Sequence, residues 1–248
     1  MNMRQSPSHN PAAGFSLLEL IIAMALTLVI AAAATTLLAQ TLGIRTRENF
    51  RAEAIADAQR GLNLMTREIA NAGVGLTNNG LVAFDSDSSS EGTDSIHIRA
   101  NLNAFDPDPL LRDLQTDDEN EDVFFQLQTP VDEFGVSHRL LARHDNSSAV
   151  TNADTVLANR LDAFNVQFFD RKTDYTTRRN ECDVVSTTVG ATEINPAVDG
   201  AQNVRYIVLS LCVIHPEVGT PGSPGHQPES QTQLVSDVVL RNSELRHY

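Results

Sequence analysis

Hydrophobic and polar positions divide the chain into three textures. From Phe15 to Ala39 the sequence reads FSLLELIIAMALTLVIAAAATTLLA, 25 residues with one charge, Glu19, and with no Pro or Gly. At the rise of an α-helix such a run covers a hydrocarbon core of about 30 Å. Beyond Arg45 the apolar positions thin into a stripe, Ile55, Ala58, Leu62, Met65, Ile69 and Ala72, spaced 3, 4, 3, 4 and 3. That spacing is one face of a helix, and Arg51, Asp57, Arg60, Arg67 and Glu68 fall largely off it. The stop signal is Asn71-Ala72-Gly73-Val74-Gly75, with a glycine at the C-terminal cap. One continuous helix from about Phe15 to Ala72 would extend roughly 87 Å, and Gly43 and Gly61 would soften it.

After Gly75 the period changes to that of strands. Ser95–Ala100 alternates apolar and polar, and Val123–Gln128, Val136–Arg143, Ala163–Phe169, Val204–Ile214 and Leu234–Arg241 are further strand candidates. Val204–Ile214 is apolar on both faces, which predicts a central strand. Gly219–Pro228 holds three Pro and three Gly and reads as a hairpin loop. The expected architecture is α+β: one long N-terminal helix packed on an antiparallel sheet.

The chain has 248 residues and a formal net charge of −14. Residues 85–133 hold fourteen acids against two bases. This acidity argues against a phosphate-reading surface, and nucleic acid is not an expected partner. Arg171, Lys172, Arg178 and Arg179 form a small basic cluster. Hard oxygen ligands in loops suit Ca²⁺. Asp85-x-Asp87-x-Ser89 begins like an EF-hand but has Ser90 at the sixth position and Ile96 at the twelfth, so that motif is rejected. Asp117, Asp118, Glu119, Glu121 and Asp122 remain as calcium candidates against a plain solvated loop. The seven His include no pair at the i, i+4 spacing of a zinc helix, and no nucleophile elbow or phosphate-binding loop occurs. An enzyme is therefore not expected, and no cofactor is implied. Two cysteines, Cys182 and Cys212, exclude a disulfide-rich scaffold; they form either one bridge or two buried thiols.

Glu19 is the informative residue of the apolar run. A charge there costs roughly 3 kcal/mol on insertion scales and calls for a functional reason. Ala32–Ala34 offers a signal-peptidase site, but a removable signal has no use for the acid. Gly14-Phe15-Ser16-Leu17-Leu18-Glu19-Leu20 resembles the type IV prepilin cleavage and methylation motif. The resemblance implies that a prepilin peptidase cuts between Gly14 and Phe15 and methylates the amine of Phe15. It makes Glu19 the acid that pairs with that amine in an assembled filament and so sets subunit register. The implied layout is a cleaved leader over 1–14, a membrane and filament-core helix over 15–42, its amphipathic continuation over 43–75, and an extracytoplasmic β-rich head over 76–248.

Shorter matches refine the resemblance. Leu64–Gly73, Val156–Ala158 with Phe164–Phe168, and Leu240-Arg241-Asn242 are similar to PilW-type minor pilins and the related GspJ-type pseudopilins. Thr36 stands where major pilins often carry Pro, which favours a minor pilin. The resemblance implies a single-pass inner-membrane precursor with a periplasmic head, before assembly into a pilus or pseudopilus. The implied partners are the prepilin peptidase, other minor pilins or pseudopilins, the inner-membrane assembly platform, and lipid around residues 15–39. The alternatives are a pseudopilin of a type II secretion system and a pilus-tip adhesin or DNA-uptake pilin. Positive-inside counting opposes a cytoplasmic leader, with Arg4 before the run and Arg45, Arg47 and Arg51 after it; the motif outweighs that count.

Overall fold

A computed structural model describes residues 15–82, 94–106, 108, 112, 115–146, 154–222 and 226–242. The chain divides into two compact units, Met1–Thr46 and Arg47–Tyr248. In the first, the described residues are the opening turns of helix α1, which runs Leu17–Ala70. No residue between Leu17 and Thr46 is buried.

Among its described residues the second unit contains the rest of α1 and ten strands. These are β1 (Leu81–Val82), β2 (Ser95–Arg99), β3 (Asp122–Gln128), β4 (Leu140–Asp145), β5 (Asp154–Asn159), β6 (Leu161–Phe169), β7 (Tyr175–Arg178), β8 (Asp183–Ser186), β9 (Tyr206–His215) and β10 (Ser230–Val239). They form three antiparallel sheets rather than the single one expected, ordered β1-β2-β3-β4-β5, β10-β9-β6 and β7-β8. The chain leaves the first sheet and starts the second at Arg160, which takes a left-handed φ of 58° between β5 and β6.

The predicted stripe on α1 is the one that is buried: Ala54, Ala58, Leu62, Met65 and Ile69, with Ala72 just beyond the helix. Ile55 is only half-buried, and Ala54 takes the inner place. The stripe joins one contiguous core with Ile96, Ile98, Phe125, Leu141, Phe164, Val166, Leu209 and Leu211. A large side chain fully withdrawn from water in such a core stabilises by roughly 2–3 kcal/mol. Gly61 is not a point of softness. A Cβ there would sit 3.4 Å from Leu157 Cβ and 3.5 Å from Leu141 Cδ2, at ordinary contact distance, so the helix already packs against β4 and β5 at this position. The helix stops as predicted near Gly73, whose φ is +78° and whose N–H donates to Arg99 O at 2.8 Å.

β9 is the central strand of its sheet, as its two-sided apolarity predicted. Ile207, Leu209, Leu211 and Val213 enter the main core. Tyr206 and Val208 face the other way, into a smaller cluster with Phe169 and Val184. The β7-β8 hairpin covers that outer face. Gln167 fixes it by accepting from Val184 N at 2.9 Å and donating to Val184 O at 3.0 Å, and Gln233 donates to Asp183 O at 2.8 Å. A disulfide between Cys182 and Cys212, with Cα atoms 5.8 Å apart, ties the hairpin to β9.

Val136–Arg143 is not one strand. Asp132 folds residues 131–137 into a turn by accepting from Phe134 N and Val136 N, each at 2.9 Å, and Gly135 takes a φ of 79°. The strand therefore begins only at Leu140. β10 begins at Ser230, ahead of the predicted Leu234, because the ladder to β9 continues through the polar residues 230–233.

Candidate functional site

The first turn of α1 places Glu19 among exposed apolar neighbours, including Leu18, Leu20, Ile21 and Ile22. Phe15 precedes the helix with 83% of its surface exposed, and Gly14 lies outside the described residues. The threonine hydroxyls along this segment are satisfied by the helix itself. Thr27, Thr35 and Thr41 donate to the carbonyls of Ala23, Ala31 and Leu37 at 3.0, 3.0 and 2.8 Å. In an apolar medium those bonds hide the hydroxyls. Among the described residues nothing pairs with Glu19, so its carboxylate is left for a group from outside them. By length and composition the helix carries a stretch able to cross a membrane, none of it buried. Its apolar surface runs all round, which suits lipid or other helices and not a one-sided fit to a sheet.

Three of the calcium candidates, Asp118, Glu121 and Asp122, are engaged in bonds of their own. Glu121 is almost fully buried and accepts from Leu102 N at 2.6 Å, while Asp118 accepts from Asn103 Nδ2 at 2.6 Å. Asp122 accepts from Arg99 Nε at 3.0 Å and from the ring of His97. Among the described residues no three His, Cys, Asp or Glu side chains are grouped to hold a metal ion. Asp85 and Asp87, of the rejected EF-hand, lie outside the described residues.

Sequence reasoning missed the buried ion network that ties this region to α1. Arg143, 8% exposed, donates through Nε to both carboxylate oxygens of Glu68, at 3.0 and 3.2 Å, and through Nη2 to Asn120 at 2.7 Å. His97 stacks on Phe124 with ring centroids 3.9 Å apart. Burial lowers the pKa of His97 below its usual value even though Asp122 pulls it upward. The available signal was the β2–β3 pairing, which sets Arg99 opposite Asp122. A cleft of about 160 Å³ beside Glu68, Arg99, Asn120 and Glu121 is lined by these same partners. Their charges are already matched by Arg143, Asp122 and backbone N–H groups, which makes the cleft a structural seam. Within the basic cluster, Arg171 pairs with Asp170 at 2.8 Å and Arg178 with Asp183, so those two do not offer free charge to a phosphate backbone.

A model of the prokaryotic N-terminal methylation motif matches residues 9–35. No curated protein and no solved structure matches the chain. The match spans the proposed cleavage point, Phe15 and Glu19, and it supports a type IV pilin-like or pseudopilin protein that a prepilin peptidase processes and that assembles with other pilins. Together with the apolar helix it fits an inner-membrane-anchored pilin. The motif and the helix-on-sheet fold point to a structural subunit.

Proposed function

We propose that the chain is a minor type IV pilin that helps initiate or cap the filament. The observation that carries this reading is the methylation motif opening a helix whose stretch from Leu17 to Ala39 carries one charge, Glu19, and no buried residue. Cleavage between Gly14 and Phe15 creates a cationic amine on Phe15. A correctly staggered neighbour brings that amine to Glu19, or Glu19 to its own, and two charges in apolar surroundings then avoid an uncompensated desolvation cost of several kcal/mol. Glu19 thus acts as a register device, without a part in bond chemistry. The leader lies in the cytoplasm, the head in the periplasm, and the inner-membrane assembly platform extracts the subunit from lipid.

The alternative from the same mechanics is a GspJ-type pseudopilin of a type II secretion system. Deleting the chain separates the two: loss of surface pili with secretion retained supports the minor pilin, and loss of secretion with pili retained supports the pseudopilin. Replacing Glu19 with Ala leaves membrane insertion intact and reduces co-assembly with other pilins; unchanged co-assembly would remove the register role. An adhesive or DNA-binding tip has weaker support, because Arg171 and Arg178 are already paired with acids.

A further inference from the structure

The three-stranded sheet ends on β10, which among the described residues has a neighbour on one side only. Its ladder to β9 runs from Ser230–His215 to Val239–Tyr206 with no shift of register. Both faces of β10 are engaged within the head. Leu234 and Val238 join the main core, and Ser236 Oγ lies 3.1 Å from Thr66 Oγ1 on α1. On the other face Val235 joins the outer cluster, and Tyr206 O–H donates to Asp237 at 2.8 Å.

The edge itself is left. Leu240 N donates to Arg205 O at 3.0 Å, in register with the ladder. By the alternation of antiparallel pairing, even-numbered residues of β10 turn their backbone groups toward β9. Gln231, Gln233, Val235, Asp237 and Val239 turn theirs outward. Among the described residues these outward groups make no backbone bond beyond the ladder. The strand is ten residues long, SQTQLVSDVV, with one charge and neither Lys nor Pro. Bulges, lysines and prolines are the devices that blunt a free edge, and β10 has none of them.

Direction selects the mate. β10 runs along α1 from N- to C-terminus: Arg47 meets Ser230, Thr66 meets Ser236, and Asn242 donates to Ala72 O at 2.7 Å. β4 runs the same way, since Leu141 lies against Gly61 and Arg143 against Glu68. β5, the outer strand of the first sheet, is antiparallel to β4 and therefore to β10. Asp154, Thr155 and Val156 of β5 are exposed. Two copies standing side by side in like orientation present β10 of one and β5 of the other as antiparallel mates, whereas a β10–β10 antiparallel pair would invert one copy. We propose that the free edge of β10 is an assembly surface that takes β5 of a second copy by strand addition. This rests on reading the chain as a filament subunit, which supplies the like orientation.

The test uses the full chain in its native membrane, with photoreactive benzoylphenylalanine in place of Val156. Illumination gives a cross-linked dimer whose junction maps to residues 230–239 of the second copy. Gln231→Pro and Val239→Pro each delete one outward donor and lower adduct yield about fivefold, the worth of one net backbone hydrogen bond. Formation of the Cys182–Cys212 disulfide, read by thiol alkylation, certifies that each variant folds. If a proline variant fails that control, Val239→Lys keeps the N–H, places a charge on the edge and lowers the yield in the same direction. No adduct, a junction elsewhere or on a different chain, or folded variants that cross-link as the parent does would overturn strand addition. Methylation of Phe15 is read on the same sample: methylated chain without the adduct overturns strand pairing alone, and unprocessed chain overturns the filament reading.

Discussion

The two halves of α1 share one backbone and obey opposite rules. From Leu17 to Thr46 no residue is buried, and Leu, Ile, Val and Ala occupy every face. From Arg47 to Ala70 only one stripe is buried, and half of it is small: Ala54, Ala58 and Gly61 beside Leu62, Met65 and Ile69. Apolar side chains on all faces cannot be satisfied by one sheet, so the first half is written for lipid and for other helices. Small residues on one face let a sheet come close, so the second half is written for its own core.

The largest test of that contrast is a pair of truncations. Met65→Ala, at a fully buried position, lowers head stability by about 3.5 kcal/mol through lost transfer energy and a cavity. Leu28→Ala, at a position 68% exposed, leaves the head's melting transition where it was and weakens membrane retention or co-assembly. Equal effects of the two on head melting would erase the distinction. Cys212→Ser comes next. It frees a bridge spanning 30 residues and costs about 3 kcal/mol, seen as a lower denaturant midpoint, while membrane retention is unchanged.

A smaller effect follows from pH. Burial lowers the pKa of His97, and burial together with Arg51 and Arg47 lowers that of His215. The unfolded chain then binds more protons than the folded one below the ordinary His value of about 6.5. The stability held by these neutral rings is present above that pH and declines as pH falls below it. Melting temperature should drop between about pH 7 and pH 5.5, and a His97→Gln variant should drop less. The smallest effect is Gly61→Ala. Its added methyl meets neighbours at ordinary contact distance, and the gain in helix propensity makes the head more stable by up to about 1 kcal/mol in thermal melts.

The legibility of the chain follows the same division. The apolar run, the stripe from Ala58 to Ala72 and the two-sided β9 were readable because period and burial coincide there. β7 and β8 were not: Thr176, Thr177 and Arg178 are exposed and polar, and the hairpin is held by hydrogen bonds from the side-chain amides of Gln167 and Gln233 and by the disulfide, none of which leaves a period. The break between the first and second sheets was also hidden, because it falls at one left-handed residue, Arg160, between two ordinary strands. At the N-terminus a seven-residue motif around Phe15 and Glu19 was legible as chemistry. The Glu68–Arg143 pair was not, since its partners lie 75 positions apart.

The most direct test of the account is the mass of the mature N-terminus. Intact-protein and peptide mass spectrometry of the chain from its native membrane should find Phe15 as the first residue, carrying one methyl group on its amine. A chain that still begins at Met1, or one cut near Ala34 as an ordinary signal peptide would be, would contradict it.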